Sequence, residues 1–315
     1  MWEVLKNTKN GFLEHKVFKM SAALAYTTVF SMAPLLLVIL YVCDIFWSRA
    51  AIEGAIYGQL KNFIGPNGAF LIQSMIKSLS FSNKGTMAGT VGIITLLIGA
   101  TSVFAEIQDS INTIWGIRPK KKSGFWLYLK SRLLSFGVIG SLGFILLVSL
   151  GLSTIMDSLS TQFLTKFSFS LVYLVYILNL IITFLIITFL FGSIFTILPD
   201  ADISWKQIRV SAITTALLFM LGKFLISYYI ASSNINSVYG SAGSLVVLMV
   251  WVYYSSVILY LGAEFAKAYA IKYASDIKPS KFAEIIHQIE ITSDEKTLQN
   301  SEKELTEIKK TPGVN

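Results

Sequence analysis

LVYLVYILNLIITFLIITFLFGSIFTIL, Leu171–Leu198, runs for 28 residues without a charged side chain. A helix needs about 20 residues to cross the roughly 30 Å hydrocarbon layer of a bilayer, at about 1.5 Å per residue. The stretch is long enough to span, and it offers water almost nothing to solvate. Working outward, five further runs share its character: Ser21–Cys43, Met87–Ala105, Leu133–Thr154, Ile208–Ala231 and Gly243–Ala263. The expected fold class is therefore all-α, a polytopic membrane protein with six transmembrane helices.

Charge then orients the helices. Of 26 Lys and Arg residues, 20 lie before the first run, in or at the edge of the 2–3 and 4–5 connections, or after the sixth run. Five (Arg49, Lys61, Lys77, Lys84 and Lys166) lie on the other side, and Lys223 sits inside the fifth run. Basic loops stay in the cytoplasm, which predicts that both termini are cytoplasmic. The net charge of +8 invites a nucleic-acid reading. Because the excess sits beside helix ends, it is read as a topology signal that meets membrane lipids, anionic ones among them, and not nucleic acid. Cys43 is the only cysteine, so no intrachain disulfide forms. The run that contains it is longer than a signal-peptide core and is read as a retained helix.

Three segments follow from this division. Residues 1–20 read as a basic, cytoplasmic amphipathic helix with Trp2, Leu5, Phe12 and Phe18 as interfacial anchors. Residues 21–275 form the membrane domain, and residues 276–315 form a cytoplasmic tail. Within the domain, Asp44–Thr86 predicts two outer interfacial helices, separated by the turn Gly65-Pro66-Asn67-Gly68. They either cap a cavity or simply cover the bundle. The second run continues as a helix through Glu106 to Trp115. In the tail, Phe282, Ile285, Ile286 and Ile289 suggest a short amphipathic helix over Pro279–Ile291, followed by a disordered stretch of alternating Glu and Lys.

Lys223 is the sharpest functional signal. A cation inside a span costs about 2.5–3.5 kcal/mol on insertion scales, so such residues usually face a cavity or a partner. Asn179 and Asp44 are the nearest polar candidates by depth; the alternative is a lysine that snorkels outward without a role. Tyr26, Tyr239 and Ser241 complete the candidate substrate-binding set, the latter two in the uncharged segment before the sixth run. Glu106, Asp109 and Glu264, at the cytoplasmic ends, form a second polar layer that either relays ions or protons or is merely solvated. Pro34 is either a hinge or a packing kink. No cofactor and no metal site is expected: His15 and His287 are the only histidines, and both lie outside the runs.

The sequence also resembles the YihY/BrkB family of bacterial inner-membrane proteins. The resemblance is carried by Ser21-Ala22-Ala23-Leu24-Ala25-Tyr26 with Phe30-Ser31-Met32-Ala33-Pro34-Leu35, by Ile114-Trp115-Gly116-Ile117, and by Ser237-Val238-Tyr239-Gly240-Ser241-Ala242-Gly243 leading into Trp251-Val252-Tyr253-Tyr254 and Leu261-Gly262-Ala263-Glu264. It covers roughly residues 10–275 and implies six spans with both ends cytoplasmic. Several family members carry an old ribonuclease label.

Three functions compete. A transporter or flippase for a lipid, a lipid-linked amphiphile or a small solute accounts for the polar residues within the spans. It would not be its own ATPase, since no G-x-x-x-x-G-K-[ST] loop occurs. A non-transporting envelope scaffold or partner-binding protein would instead use the tail. A ribonuclease is rejected and the protein is expected not to be an enzyme, because RNA cleavage calls for clustered carboxylates with metals or for paired histidines.

Overall fold

The computed structural model describes residues 1–46, 69–70, 73, 102–120, 169–233, 243–273, 277–280 and 283–286. It divides into a large unit, Met1–Glu284, and a second one, Ile285–Asn315, of which Ile285 and Ile286 are described. The predicted third span, the predicted second span up to residue 101, most of the outer connection Asp44–Thr86 and the tail beyond residue 286 lie outside the described residues.

The first unit is built of helices: α1 (Trp2–Glu14), α2 (Val17–Phe46), α3 (residues 102–115), α4 (Phe169–Ile197), α5 (Trp205–Ser232) and α6 (Gly243–Tyr273). Three carry stretches long and apolar enough to cross a membrane: Leu180–Ile197, Trp205–Ile230 and Leu245–Tyr273. Only 22% of the first stretch and 33% of the second are buried against protein. Leu185 and Phe189 on α4 and Leu217, Leu221, Phe224 and Leu225 on α5 point outward. A soluble protein rarely exposes so large an apolar surface, whereas lipid covers it at no cost.

Glycines set the helix contacts where side chains would block approach. A Cβ at Gly262 of α6 would overlap Thr215 of α5 and Phe195 of α4, and one at Gly222 of α5 would overlap the Tyr254 phenol of α6. Rising numbers on α5 thus meet falling numbers on α6, so the two run antiparallel. Small residues at such crossings are how helices approach closely in a membrane, where lipid removes the hydrophobic drive between them. Phe191, Phe219 and Trp251 continue the seam, with ring centroids 5.6 and 6.4 Å apart.

The main core lies at one shared end of the bundle. It joins Val17 and Leu24 at the start of α2, Ile111 and Ile114 near the end of α3, Phe195 at the end of α4, Ile208 at the start of α5 and Ala263 toward the end of α6. From α4 to α6 an end, a start and an end meet there, as they must when consecutive helices alternate direction.

The turns at this end have specific causes. Gly116 closes α3 with φ 67°, the left-handed cap that glycine adopts without penalty. The Ser204 N–H donates to Gln207 Oε1 at 2.7 Å, which fixes the start of α5. Lys16, between α1 and α2, is a non-glycine residue in the same left-handed region, at φ 53°.

Short strands decorate the shared end, a departure from a purely helical expectation. β1 (Ile117–Pro119) pairs with β4 (Ala283–Ile285), and β2 (Ala201–Asp202) pairs antiparallel with β3 (Lys278–Pro279), setting Ala201 opposite Pro279. The predicted helix over Pro279–Ile291 is thereby corrected at its described residues. Pairing partners from the two connections outweigh a local amphipathic pattern too short to hold a helix by itself.

Candidate functional site

The polar chemistry of the described chain gathers at the shared end. α1 docks along the last ten residues of α6, and the docking can be followed contact by contact. The Met1 ammonium donates to the Tyr273 hydroxyl at 3.2 Å, Lys272 pairs with Glu3, and Val4 packs on Phe265 and Ala268. The pairing with Lys272 holds the Glu3 carboxyl below the usual range and the lysine above it. Further along, His15 Nδ1 lies 2.5 Å from Glu264 Oε1. The helices are therefore antiparallel. Gly11 is required here, because a Cβ would overlap the Glu264 carboxylate.

Glu264 is the notable group. Its residue is 2% exposed, and a buried charge is tolerated only when paired and hydrogen-bonded, which His15 provides. A cavity of about 260 Å³ opens beside the pair, lined by Asn7, Asn10, Glu14, Lys267 and Ile271 as well as Gly11, His15 and Glu264.

A second polar knot ties α3 to the α4–α5 connection. Asn112, 3% exposed, donates Nδ2 to Asp200 Oδ2 at 2.8 Å and accepts the Asp200 N–H at 2.9 Å. Gln108, one turn earlier, donates to Asp200 Oδ1 at 3.2 Å, and the Ser280 N–H reaches the Asp200 carbonyl at 2.9 Å. This knot joins α3, the α4–α5 connection and the segment after α6, so it acts as a brace.

The expected layer of Glu106, Asp109 and Glu264 is divided. Glu264 is engaged by His15, whereas Glu106 is half-buried and Asp109 exposed on α3. Burial first, and the neighbouring Asp109 second, hold the Glu106 carboxyl above the usual range. Lys223 lies half-buried on α5, between the packed Gly222 and Ile226 and the outward-facing Phe224 and Leu225. It therefore occupies the flank of the α5–α6 seam. Tyr26 is exposed on α2 and packs on Phe30 at 4.5 Å, away from both polar clusters. Of the predicted anchors, Trp2, Leu5 and Phe18 are exposed, while Phe12 packs against the core.

Asn179, Asp44 and Pro34 fall within helices, but their side chains lie outside what is described; Tyr239 and Ser241 lie outside the described residues. Among the described residues, no group of three or more His, Cys, Asp or Glu side chains is placed to hold a metal ion. The residues that sequence reasoning missed are Asp200 and His15. The spacing of Glu106, Asp109 and Asn112 marks a polar face on α3, but nothing local marks Asp200 as the partner of Asn112. His15 was passed over as a residue outside the spans.

Comparison with known proteins identifies the family. Residues 8–285 match the family described as Virulence factor BrkB. The chain is 26% identical over 260 residues to a UPF0761 membrane protein of Ralstonia nicotianae, covering 80% of this chain and 55% of that one. It is 25% identical over 271 residues to one of Methylibium petroleiphilum, covering 85% and 62%, and 25% identical over 260 residues to one of Haemophilus influenzae, covering 81% and 90%. The chain thus spans little more than half the length of the first two relatives and most of the third. No solved structure matches it.

Proposed function

The chain belongs to the Virulence factor BrkB family of membrane proteins, and from that premise we propose that it is a carrier, moving a lipid, a lipid-linked amphiphile or a small solute across the bacterial inner membrane without hydrolysing ATP itself. In this reading both termini are cytoplasmic, the shared polar end faces the cytoplasm, and the protein is not an enzyme.

The observation that carries the reading is Lys223, half-buried on the flank of the α5–α6 seam within a span otherwise free of charge between Arg209 and Ser232. A cation kept at that depth costs several kcal/mol unless water or a polar partner reaches it. A polar path alongside the seam would provide both, and such a path is what a carrier requires. The test is flux. Purified protein reconstituted into vesicles is assayed with fluorescent lipid analogues and labelled solutes, in wild-type and Lys223→Met forms. Loss of flux in correctly inserted variant protein supports the carrier. Flux that does not change with the substitution rejects Lys223's role, and wild-type vesicles no more permeable than empty ones reject the carrier itself.

A further inference from the structure

The cavity between α1 and the end of α6 has a charge arrangement that packing alone does not call for. Glu264 at depth and Lys267, half-buried one turn beyond it, line the cavity from α6, and the exposed Glu14 lines its rim from α1. Glu264 is satisfied by His15, yet Glu14 and Lys267 form no ion pair among the described residues. Opposite charges facing one groove without neutralising each other suit a ligand that carries both signs. Asn7 and Asn10 add amide donors and acceptors along the same wall.

Depth narrows the ligand. α6 has 31 residues, about 46 Å of helix, against a hydrocarbon layer of about 30 Å. The charged residues Glu264, Lys267 and Lys272 all lie in its last ten positions, so the overhang belongs to that end. Glu264 directly follows the last apolar residue of the predicted span, which sets the cavity at the level of lipid headgroups. Its volume, about 260 Å³, is below the roughly 300–1,000 Å³ of sites for drug-sized ligands and suits a small polar headgroup.

We propose that this groove binds a zwitterionic group joining a primary ammonium to a phosphate, as in a phosphoethanolamine headgroup. The ammonium donates to Glu14 and Glu264, and the phosphate meets Lys267 and the asparagine amides. A primary ammonium has three N–H donors for these acceptors, whereas a trimethylammonium has none. This site stands apart from the carrier reading: a headgroup can be held here whether or not anything is transported, so binding and flux fail separately.

The experiment measures binding by the full-length protein in detergent and in nanodiscs. The soluble probe is O-phosphoethanolamine, followed by calorimetry. The lipid probes are nanodiscs containing phosphatidylethanolamine, phosphatidylcholine or phosphatidylglycerol, followed by native mass spectrometry of retained lipid. The expected result is preferential retention of the ethanolamine lipid, weakened about tenfold or more by Lys267→Gln and by Glu14→Gln, as loss of one charge-assisted hydrogen bond implies. Both positions are accessible enough for the variants to fold, which circular dichroism and gel filtration verify. Binding of the soluble probe as well assigns a site open to free phosphoethanolamine; lipid binding alone assigns a headgroup site. Equal retention of all three lipids with no soluble binding, or binding indifferent to both substitutions, overturns the proposal.

Discussion

The two ends of the helical bundle are held together by different forces. At the shared end, α1, α3, α4, α5 and α6 are cross-linked by hydrogen bonds between side chains distant in sequence: His15 with Glu264, and Gln108 and Asn112 with Asp200. Away from it, α4 and α5 expose long apolar faces, and α5 meets α6 through Gly222 against Tyr254 and through Phe219 against Trp251. Lipid dictates the second style, because it rewards close packing but leaves no water to satisfy a stray polar group. The first style suits an end in contact with water, where loops must be tied to the helices they join. Lys223 is the exception, a charge in the apolar region, and that is why function is sought there.

Substitutions can break this contrast in order of expected size. Asn112→Ala removes two hydrogen bonds to Asp200, one of them to its carboxylate, so it should cost about 2–3 kcal/mol, read as a lower unfolding temperature in detergent. If stability is unchanged, the brace is not structural. Gly262→Val forces a branched side chain onto Thr215 and Phe195 and should cost about 1–3 kcal/mol with the shared-end hydrogen bonds intact. Lys16→Gly should act in the opposite direction. It relieves a left-handed residue and stabilises by about 1 kcal/mol, a gain that vanishes if the α1–α2 turn relaxes in solution.

The smallest effect is a slope. Burial and Asp109 raise the Glu106 carboxyl above its unfolded value, so the folded state binds the proton more tightly than the unfolded one. Its contribution to stability is fully present below the unfolded value and is lost as pH rises through the raised one. Glu106→Gln should flatten unfolding temperature against pH over that window and leave the variant the more stable at neutral pH. A wild-type slope retained in the variant assigns the titration to another group.

The apolar runs were legible because composition alone decides them. The predicted fourth span matches α4 except for Leu198, and the fifth and sixth lie inside α5 and α6. α6 continues ten residues past its predicted span, since Glu264, Lys267 and Lys272 forbid lipid but not helix. The leading helix is readable from Trp2, Leu5, Phe12 and Phe18, but the residues it buries are Val4 and Thr8, which that reading does not single out. The groove was not. His15 and Glu264 are 249 positions apart, and Asn112 and Asp200 are 88 apart, so no local pattern links them. The segment 278–285 misled for the same reason, because its strand partners come from two distant connections.

The central claim is that the cation beside the α5–α6 seam serves passage across the membrane. Flux into vesicles, compared among wild-type, Lys223→Arg and Lys223→Met proteins at matched insertion, tests it most directly. The account predicts that the arginine protein retains measurable flux while the methionine protein falls to the level of empty vesicles. Equal flux in all three would contradict it.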